Sequence, residues 1–146
     1  DIDWPIVIML AAMIPIGSAL QSTGLSDIIS SFISYHAVNL NQFWILFLIL
    51  IVTMATTDII NNAATAVIMA PISAGVALQL GYSIEPFLMV VAVGASCAFL
   101  TPIGHQCNTV IMGPGNYKFT DYWRLGLPLD FLIIAVSIPM ILFVWT

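Results

Sequence analysis

The sequence predicts an all-α polytopic membrane protein, and three observations carry that prediction. Hydrophobic residues make up 61% of the chain and charged residues only 6%, whereas soluble domains average about a quarter charged residues. Long apolar runs alternate with short polar stretches. The 146 residues leave room for about four to six membrane passes of about 20 residues each. We therefore expect one transmembrane domain over 1–146.

The few charged residues make several functions unexpected. The two basic side chains, Lys118 and Arg124, form no basic patch, so nucleic acid is not an expected partner. The chain has no HExxH, nucleophile-elbow or phosphate-loop motif, so we do not expect an enzyme. It begins at Asp1 without a basic leader, so we expect no signal peptide and interpret the chain as a fragment of a longer protein.

Five segments are predicted along the chain. They are a span over 4–20, an interfacial helix over 25–36, a re-entrant hairpin over 43–80, a broken helix over 87–112 and a span over 125–145. The first segment carries no charge. In the second, apolar residues recur at helical spacing while serines fill the other face, a pattern typical of a helix that lies in the membrane interface.

The hairpin segment has two apolar arms joined by a polar stretch. The arm from Phe43 to Val52 rises only about 15 Å as a helix, half of a hydrocarbon core about 30 Å thick. The sequence then becomes polar, and the second apolar arm ends at Gly81. We interpret this as a re-entrant helical hairpin with its tip over 60–63. Two complete spans with a polar middle are the alternative geometry.

The helix predicted over 87–112 is interrupted by Thr101, Pro102 and Gly104, which make a continuous helix unfavourable. A short hydrophobic segment interrupted by Pro and Gly is typical of the broken helices of transporters. The loop that follows, 113–124, holds both basic side chains, and we therefore predict that it is cytoplasmic.

Two polar stretches stand inside this apolar sequence, TTDIINNAAT over 56–65 and TPIGHQCNT over 101–109. Polar groups at membrane depth are costly unless they are paired or line a cavity, so these stretches indicate a functional site. We predict that they meet near the bilayer centre. Backbone carbonyl groups with Asn and Thr oxygens would suit sodium, and two helix N-termini would attract an anionic solute.

The order of the segments and three short runs resemble a known family. The Asn-centred tip, the run SCAFLTP over 96–102 and the run YWRLGLPL over 122–129 look like the C-terminal half of the divalent anion/sodium symporter family. The resemblance covers about residues 4–145 and is closest to bacterial permeases and sulfate-type transporters. It implies one inverted-repeat half of a secondary active transporter that moves a small anion, of the sulfate or dicarboxylate/carboxylate class, together with sodium.

The resemblance also implies site residues. The predicted sodium ligands, through side-chain or backbone oxygens, are Thr57, Ile60, Asn62 and Gly104. The solute contacts that we predict in the two polar stretches are Asn61, Asn62, His105, Gln106, Asn108 and Thr109. The chain departs from the family pattern at Asp58, which stands for Glu, at Ala63, which stands for Thr, and over 105–107, where His-Gln-Cys stands for Thr-Pro-Pro.

Further partners follow from the same resemblance: a lipid bilayer, the N-terminal repeat of the same transporter and a second copy in a homodimer, in a bacterial inner membrane. Two other functions stay open. One is a proton-coupled permease or cation/proton antiporter in which Asp58 and His105 carry protons. The other is a membrane subunit that binds partner helices without transporting a solute.

Overall fold

The computed structural model describes residues 8, 11, 15, 19 and 22–145, and from residue 22 onward the chain is a set of helices joined by short connections. The helices are α1 (Leu25–Ala37), α2 (Gln42–Ile59), α3 (Asn62–Leu80), α4 (Ile84–Ala95), α5 (Gln106–Met112) and α6 (Asp121–Trp145). None of the described residues is in a strand, and the all-α prediction is confirmed. The span predicted over 4–20 lies outside the described residues, apart from four isolated positions.

Three of the described helices, α2, α3 and α6, are long and apolar enough to cross a membrane. The longest of them, α6, presents large apolar side chains outward, among them Phe143 at 91% exposure and Leu125 at 78%. An outward apolar surface of this kind is stable against lipid and unfavourable against water. The chain is therefore a multi-pass membrane protein.

The short helix α4 lies at the centre of the fold and packs against α2, α3 and α6. Its Phe87, Val90 and Val91 are buried. Gly94 lets α2 approach closely, because a Cβ atom at this position would lie 3.0 Å from the Cβ of Thr53. With 12 residues, α4 rises only about 18 Å, so its end brings the chain to an irregular segment beside α2.

Helix α1 packs against α3 through its serine face. Ser26, Ser30 and Ser34 are buried, whereas the large apolar residues Ile28 and Phe32 are 66% and 67% exposed. The serines are small enough for the two helices to approach closely. The described contacts therefore explain the serines as packing residues. The location of α1 in the membrane interface stays a prediction.

Helices α2 and α3 pack against each other and are joined at Ile60 and Asn61, within the predicted tip. A second non-helical segment follows α4, over 96–105. The helix that precedes this second break ends at Ala95, earlier than the residues up to Leu100 that the sequence favoured. The last carbonyl group of this helix, that of Ala95, accepts from the Thr57 hydroxyl of α2.

Candidate ion site between the hairpin tip and the helix break

The hairpin tip and the helix break are in direct contact. The Thr101 hydroxyl donates to the backbone oxygen of Asp58 at 2.6 Å, and the N–H of Leu100 donates to Oδ1 of Asp58 at 3.1 Å. Gly104 lies so close to the end of α2 that a Cβ atom there would be 2.6 Å from the Thr57 backbone oxygen. The prediction that the two polar stretches meet is therefore confirmed.

Four polar groups converge at this contact. The Thr57 side chain is fully buried, and its hydroxyl donates to the Ala95 backbone oxygen at 2.9 Å. One terminal atom of the Asn62 side-chain amide lies 2.9 Å from Thr57 Oγ1, 3.2 Å from the Ala95 oxygen and 3.3 Å from the Gly104 backbone oxygen. We call the oxygens of Thr57, Ala95 and Gly104, with the Asn62 amide, the tip cluster.

The Asn62 amide has two orientations with different consequences, because its oxygen and nitrogen are assigned from their partners. With the nitrogen turned inward, it can donate to all three oxygens of the tip cluster. With the oxygen turned inward, the Thr57 hydroxyl can donate to it at 2.9 Å, and the backbone oxygens of Ala95 and Gly104 then face the amide oxygen without a donor from it. In that orientation a cation among the oxygens would offset their mutual repulsion.

The local backbone explains why these oxygens are available. Ala95 is the last residue of α4, and the final carbonyl groups of a helix have no partner within that helix. Gly104 lies in the irregular segment before α5, and Thr57 is in the last turn of α2. The partial negative charge at the ends of α2 and α4 therefore adds to the attraction for a cation.

Three of the four predicted sodium ligands, Thr57, Asn62 and Gly104, belong to the tip cluster. For Ile60, by contrast, no hydrogen bond among the described residues joins it to the cluster; it is 39% exposed, and its N–H donates to the Thr56 backbone oxygen. The structure adds the Ala95 oxygen, which the sequence reasoning missed. The only available signal was that a helix had to end near it.

Several predicted solute contacts instead satisfy backbone groups at the breaks. Asn61 caps α3, since its side-chain oxygen accepts from the N–H of Ala64 at 2.8 Å. The ring of His105 caps α5 by accepting from the N–H of Cys107 at 3.2 Å. Each of these bonds pairs a backbone N–H group that has no partner within its own helix. The side chain of Gln106 lies outside what the structure describes.

Asn108 and Thr109 hold the break in shape. The Asn108 amide donates to the backbone oxygens of Ala98 and Thr101, at 2.8 and 3.2 Å. The Thr109 hydroxyl donates to the Pro102 oxygen at 2.5 Å. These carbonyl groups have no helical partner, and buried carbonyl groups need one. Both side chains therefore have a structural task whether or not they also contact a solute.

The proposed proton carriers Asp58 and His105 differ in their surroundings. Asp58 is only 4% exposed, and its Oδ2 has no hydrogen-bond partner in the described structure. His105 is exposed, and no hydrogen bond among the described residues joins it to Asp58. A second carboxyl group of the membrane helices, that of Asp130 in α6, is also buried, at 7% exposure.

Comparison with known proteins identifies the family of this chain. The model of the citrate transporter family matches residues 1–146. An uncharacterized transporter of Synechocystis sp. is 38% identical over 140 residues, which cover 96% of this chain and 23% of that protein. The sodium/sulfate cotransporter 2 of Chlamydomonas reinhardtii is 28% identical over 137 residues, which cover 93% of this chain and 16% of that protein.

A third relative is the sodium-dependent high-affinity dicarboxylate transporter 3 of Caenorhabditis elegans, 28% identical over 136 residues, with 91% of this chain and 24% of that protein covered. The chain thus spans less than a quarter of the length of each of these relatives. The matches confirm the resemblance to sodium-coupled anion symporters. The chain belongs to the citrate transporter family.

Proposed function

We propose that the chain is part of a secondary active transporter that moves a small anion, of the sulfate or carboxylate class, together with sodium. The observation that carries the proposal is the tip cluster, where Thr57, Ala95 and Gly104 direct oxygens at one atom of the Asn62 amide. Two relatives named for sodium coupling, one with sulfate and one with dicarboxylate, support the same assignment.

Sodium is the coupled ion in this proposal, and the tip cluster would hold it. Hydroxyl, amide and backbone carbonyl oxygens would replace the water molecules around the sodium ion. No carboxylate would have to contact the ion directly. Ile60 would join through its backbone carbonyl after a small movement of the exposed tip. Helix ends with partial negative charge make the position favourable for a cation.

The anion would bind beside the sodium ion. Asn62 is also the first residue of α3, so the N–H groups of that helix end lie next to the tip cluster and favour a negative group. Because opposite charges in adjacent pockets lower the cost of burying each other, the ion and the solute bind more tightly together than apart. His105, which is exposed beside the break, is the side chain that we propose to face the solute, and Asn61 holds the start of α3 in place through its cap.

The helices α2 and α3 are each long enough to cross a membrane, and the proposal of a re-entrant hairpin over 43–80 rests on the position of α6 beside the break. Gly126 of α6 touches the break, because a Cβ atom there would lie 2.7 Å from the Phe99 backbone oxygen. This glycine is five residues into α6, or about 8 Å from its start. The seven residues of α5, which lead from the break toward that same side, rise about 10 Å. The tip would therefore lie about 8–10 Å deeper than Asp121, the first residue of α6.

The rest of the transporter would complete the site. We propose that this chain is the C-terminal repeat, that an N-terminal repeat supplies a second tip and break, and that two copies form a homodimer in a bacterial inner membrane with loop 113–124 in the cytoplasm. An inverted repeat facing the tip cluster would enclose the solute between two such contacts.

The test is solute uptake by the full-length protein in proteoliposomes, with radiolabelled sulfate and succinate as probes. Sodium is replaced by choline or potassium in a series of pH values. We expect uptake of one probe to require sodium, and Asn62→Ala to abolish that requirement together with uptake. Asn41→Ala is the matched control, because Asn41 is exposed and its side chain caps nothing.

The alternatives give different results in the same assay. Uptake that ignores sodium but follows the proton gradient would replace sodium coupling by proton coupling. Solute flux that is equal in Asn62→Ala and in the wild type would favour a membrane subunit without a transport site, or a site elsewhere in the longer protein.

A further inference from the structure

Asp130 is a buried carboxyl group for which sodium coupling gives no role. It lies in α6, is only 7% exposed, and its Oδ1 has no hydrogen-bond partner in the described structure. An unpartnered carboxylate inside a membrane protein is costly unless it is neutralised. Something must therefore offset the charge of Asp130, or remove it.

No basic side chain of this chain is available for that task. The sequence contains Lys118 and Arg124 as its only Lys and Arg residues and has two histidines, and all four side chains are exposed. The titratable groups near Asp130 come from the elements that pack against α6. They are the carboxyl group of Asp58, on α2, and the thiol of Cys97, just after α4.

The Asp58 carboxyl group cannot neutralise a charge on Asp130, because both groups carry negative charge when ionised. It is buried as well, and its Oδ2 is also unpartnered. Like charges in a medium of low polarity repel strongly, so two ionised carboxylates in electrostatic range cannot both persist without a cation or a proton. Oδ1 of Asp130 is enclosed by the described helices, so no basic group of this chain contacts it there.

We propose that Asp130 is a proton-binding site, and that protons join sodium as coupling ions of the transporter. The proposal rests on the proposed transport function. A proton from one aqueous phase adds to the Asp130 carboxylate and gives the neutral acid; release to the other phase restores the carboxylate. Asp58 links the charge of Asp130 to the ion site. Its Oδ1 accepts from Leu100 N–H and its backbone oxygen accepts from Thr101, and these two bonds hold the tip against the break.

The experiment uses the full-length protein in proteoliposomes with an enclosed pH indicator, equal sodium on both sides and radiolabelled sulfate or succinate, whichever the uptake assay has shown to be carried. An inward proton gradient should raise wild-type uptake severalfold and acidify the interior as solute enters. Asp130→Asn should keep sodium-dependent uptake at equal pH and lose the stimulation. Asp27→Asn, at an exposed acid on α1, should behave as the wild type.

Other outcomes would overturn the proposal. Wild-type uptake that is sodium-dependent but indifferent to the proton gradient, without acidification, would remove the proton site and leave sodium coupling intact. Stimulation that survives in Asp130→Asn would do the same. If Asp130→Asn does not fold, Asp130→Glu replaces it: the pH of half-maximal stimulation should move relative to the wild type, and an unchanged value would contradict the proposal.

Discussion

Two clusters of buried polar side chains can be compared in this membrane protein, the serine face of α1 and the tip cluster. In the first, Ser30 donates to the Asp27 backbone oxygen of its own helix at 3.1 Å, and Gln79 of α3 donates to the Ser30 hydroxyl at 3.0 Å. In the second, Thr57 donates to Ala95, 38 residues away, and Thr101 donates to Asp58, 43 residues away.

The difference lies in what the polar groups satisfy. A serine that bonds within its own helix leaves the backbone complete, so its main effect is to let a neighbouring helix approach closely. Groups that bridge two interruptions of the backbone instead gather unpaired carbonyl oxygens at one place. Buried polar groups therefore serve packing in α1 and form a candidate ion site at the tip, and the following substitutions separate the two.

The largest effect is expected for Gly104→Ala. A Cβ atom at this position would lie 2.6 Å from the Thr57 backbone oxygen and 2.8 Å from the Ala98 Cβ, so the tip and the break would have to separate. We expect loss of uptake and a loss of stability of about 1–3 kcal/mol, measured as a lower melting temperature in detergent. Gly113→Ala, with nothing within 4 Å of its Cβ position, should change neither. Wild-type uptake by Gly104→Ala would refute the close contact.

Thr57→Val should weaken sodium dependence with less damage to the fold. Valine has the shape of threonine without the hydroxyl, so it removes one oxygen of the tip cluster and leaves the Ala95 oxygen without its donor. We expect the sodium concentration for half-maximal uptake to rise about tenfold, equivalent to about 1.4 kcal/mol. Thr56→Val is the control, because the described bond of the Thr56 hydroxyl is to the Val52 backbone oxygen of the same helix. Equal sodium dependence in both variants would exclude Thr57 as a ligand.

Gly75→Ala tests the serine face. A Cβ atom there would lie 2.9 Å from the Ser30 Oγ and 3.0 Å from its Cβ, so α1 and α3 would have to move apart. The expected cost is about 1–2 kcal/mol of stability, with an unchanged sodium dependence of uptake. Adding Ser30→Gly should recover only part of the melting temperature, because it relieves the contact but places a glycine inside α1, at a cost of about 0.5–1 kcal/mol. A changed sodium dependence in Gly75→Ala would show that this face acts on the site after all.

The smallest effect is expected for Asn61→Ala. Loss of the bond from Ala64 N–H should cost about 1 kcal/mol of stability, a typical value for a helix N-cap. Asn61→Ser should retain most of the stability, since serine also caps well. The sodium dependence of both variants should match the wild type. An effect of Asn61→Ala on sodium dependence as large as that of Asn62→Ala would assign Asn61 to the ion site instead.

The sequence predicted what depends on composition and local backbone preference. Apolar runs indicated the helices, and Pro102 and Gly104 indicated the break, because neither residue favours a helix interior. The position of the tip followed from the polar residues around Asn62. These features are local, so a single sequence is enough to find them.

The parts that the sequence did not predict depend on contacts between distant residues. The Ala95 oxygen belongs to the tip cluster through its backbone, and an alanine side chain gives no sign of that. The bonds that the Asn108 amide makes to the Ala98 and Thr101 carbonyl groups also follow from the shape of the break, which the sequence does not show. Asp130 interacts electrostatically with Asp58 because α6 packs beside α2 and α4. The distance between the two residues along the chain gives no sign of this interaction.

The central claim is that the tip cluster binds sodium. Its most direct test is equilibrium binding of radioactive sodium to the purified full-length protein, with Asn62→Ala and Asn41→Ala measured beside the wild type. The account predicts saturable binding by the wild type and by Asn41→Ala, with a clear loss in Asn62→Ala. Binding by Asn62→Ala that equals the wild type in affinity and amount would contradict it.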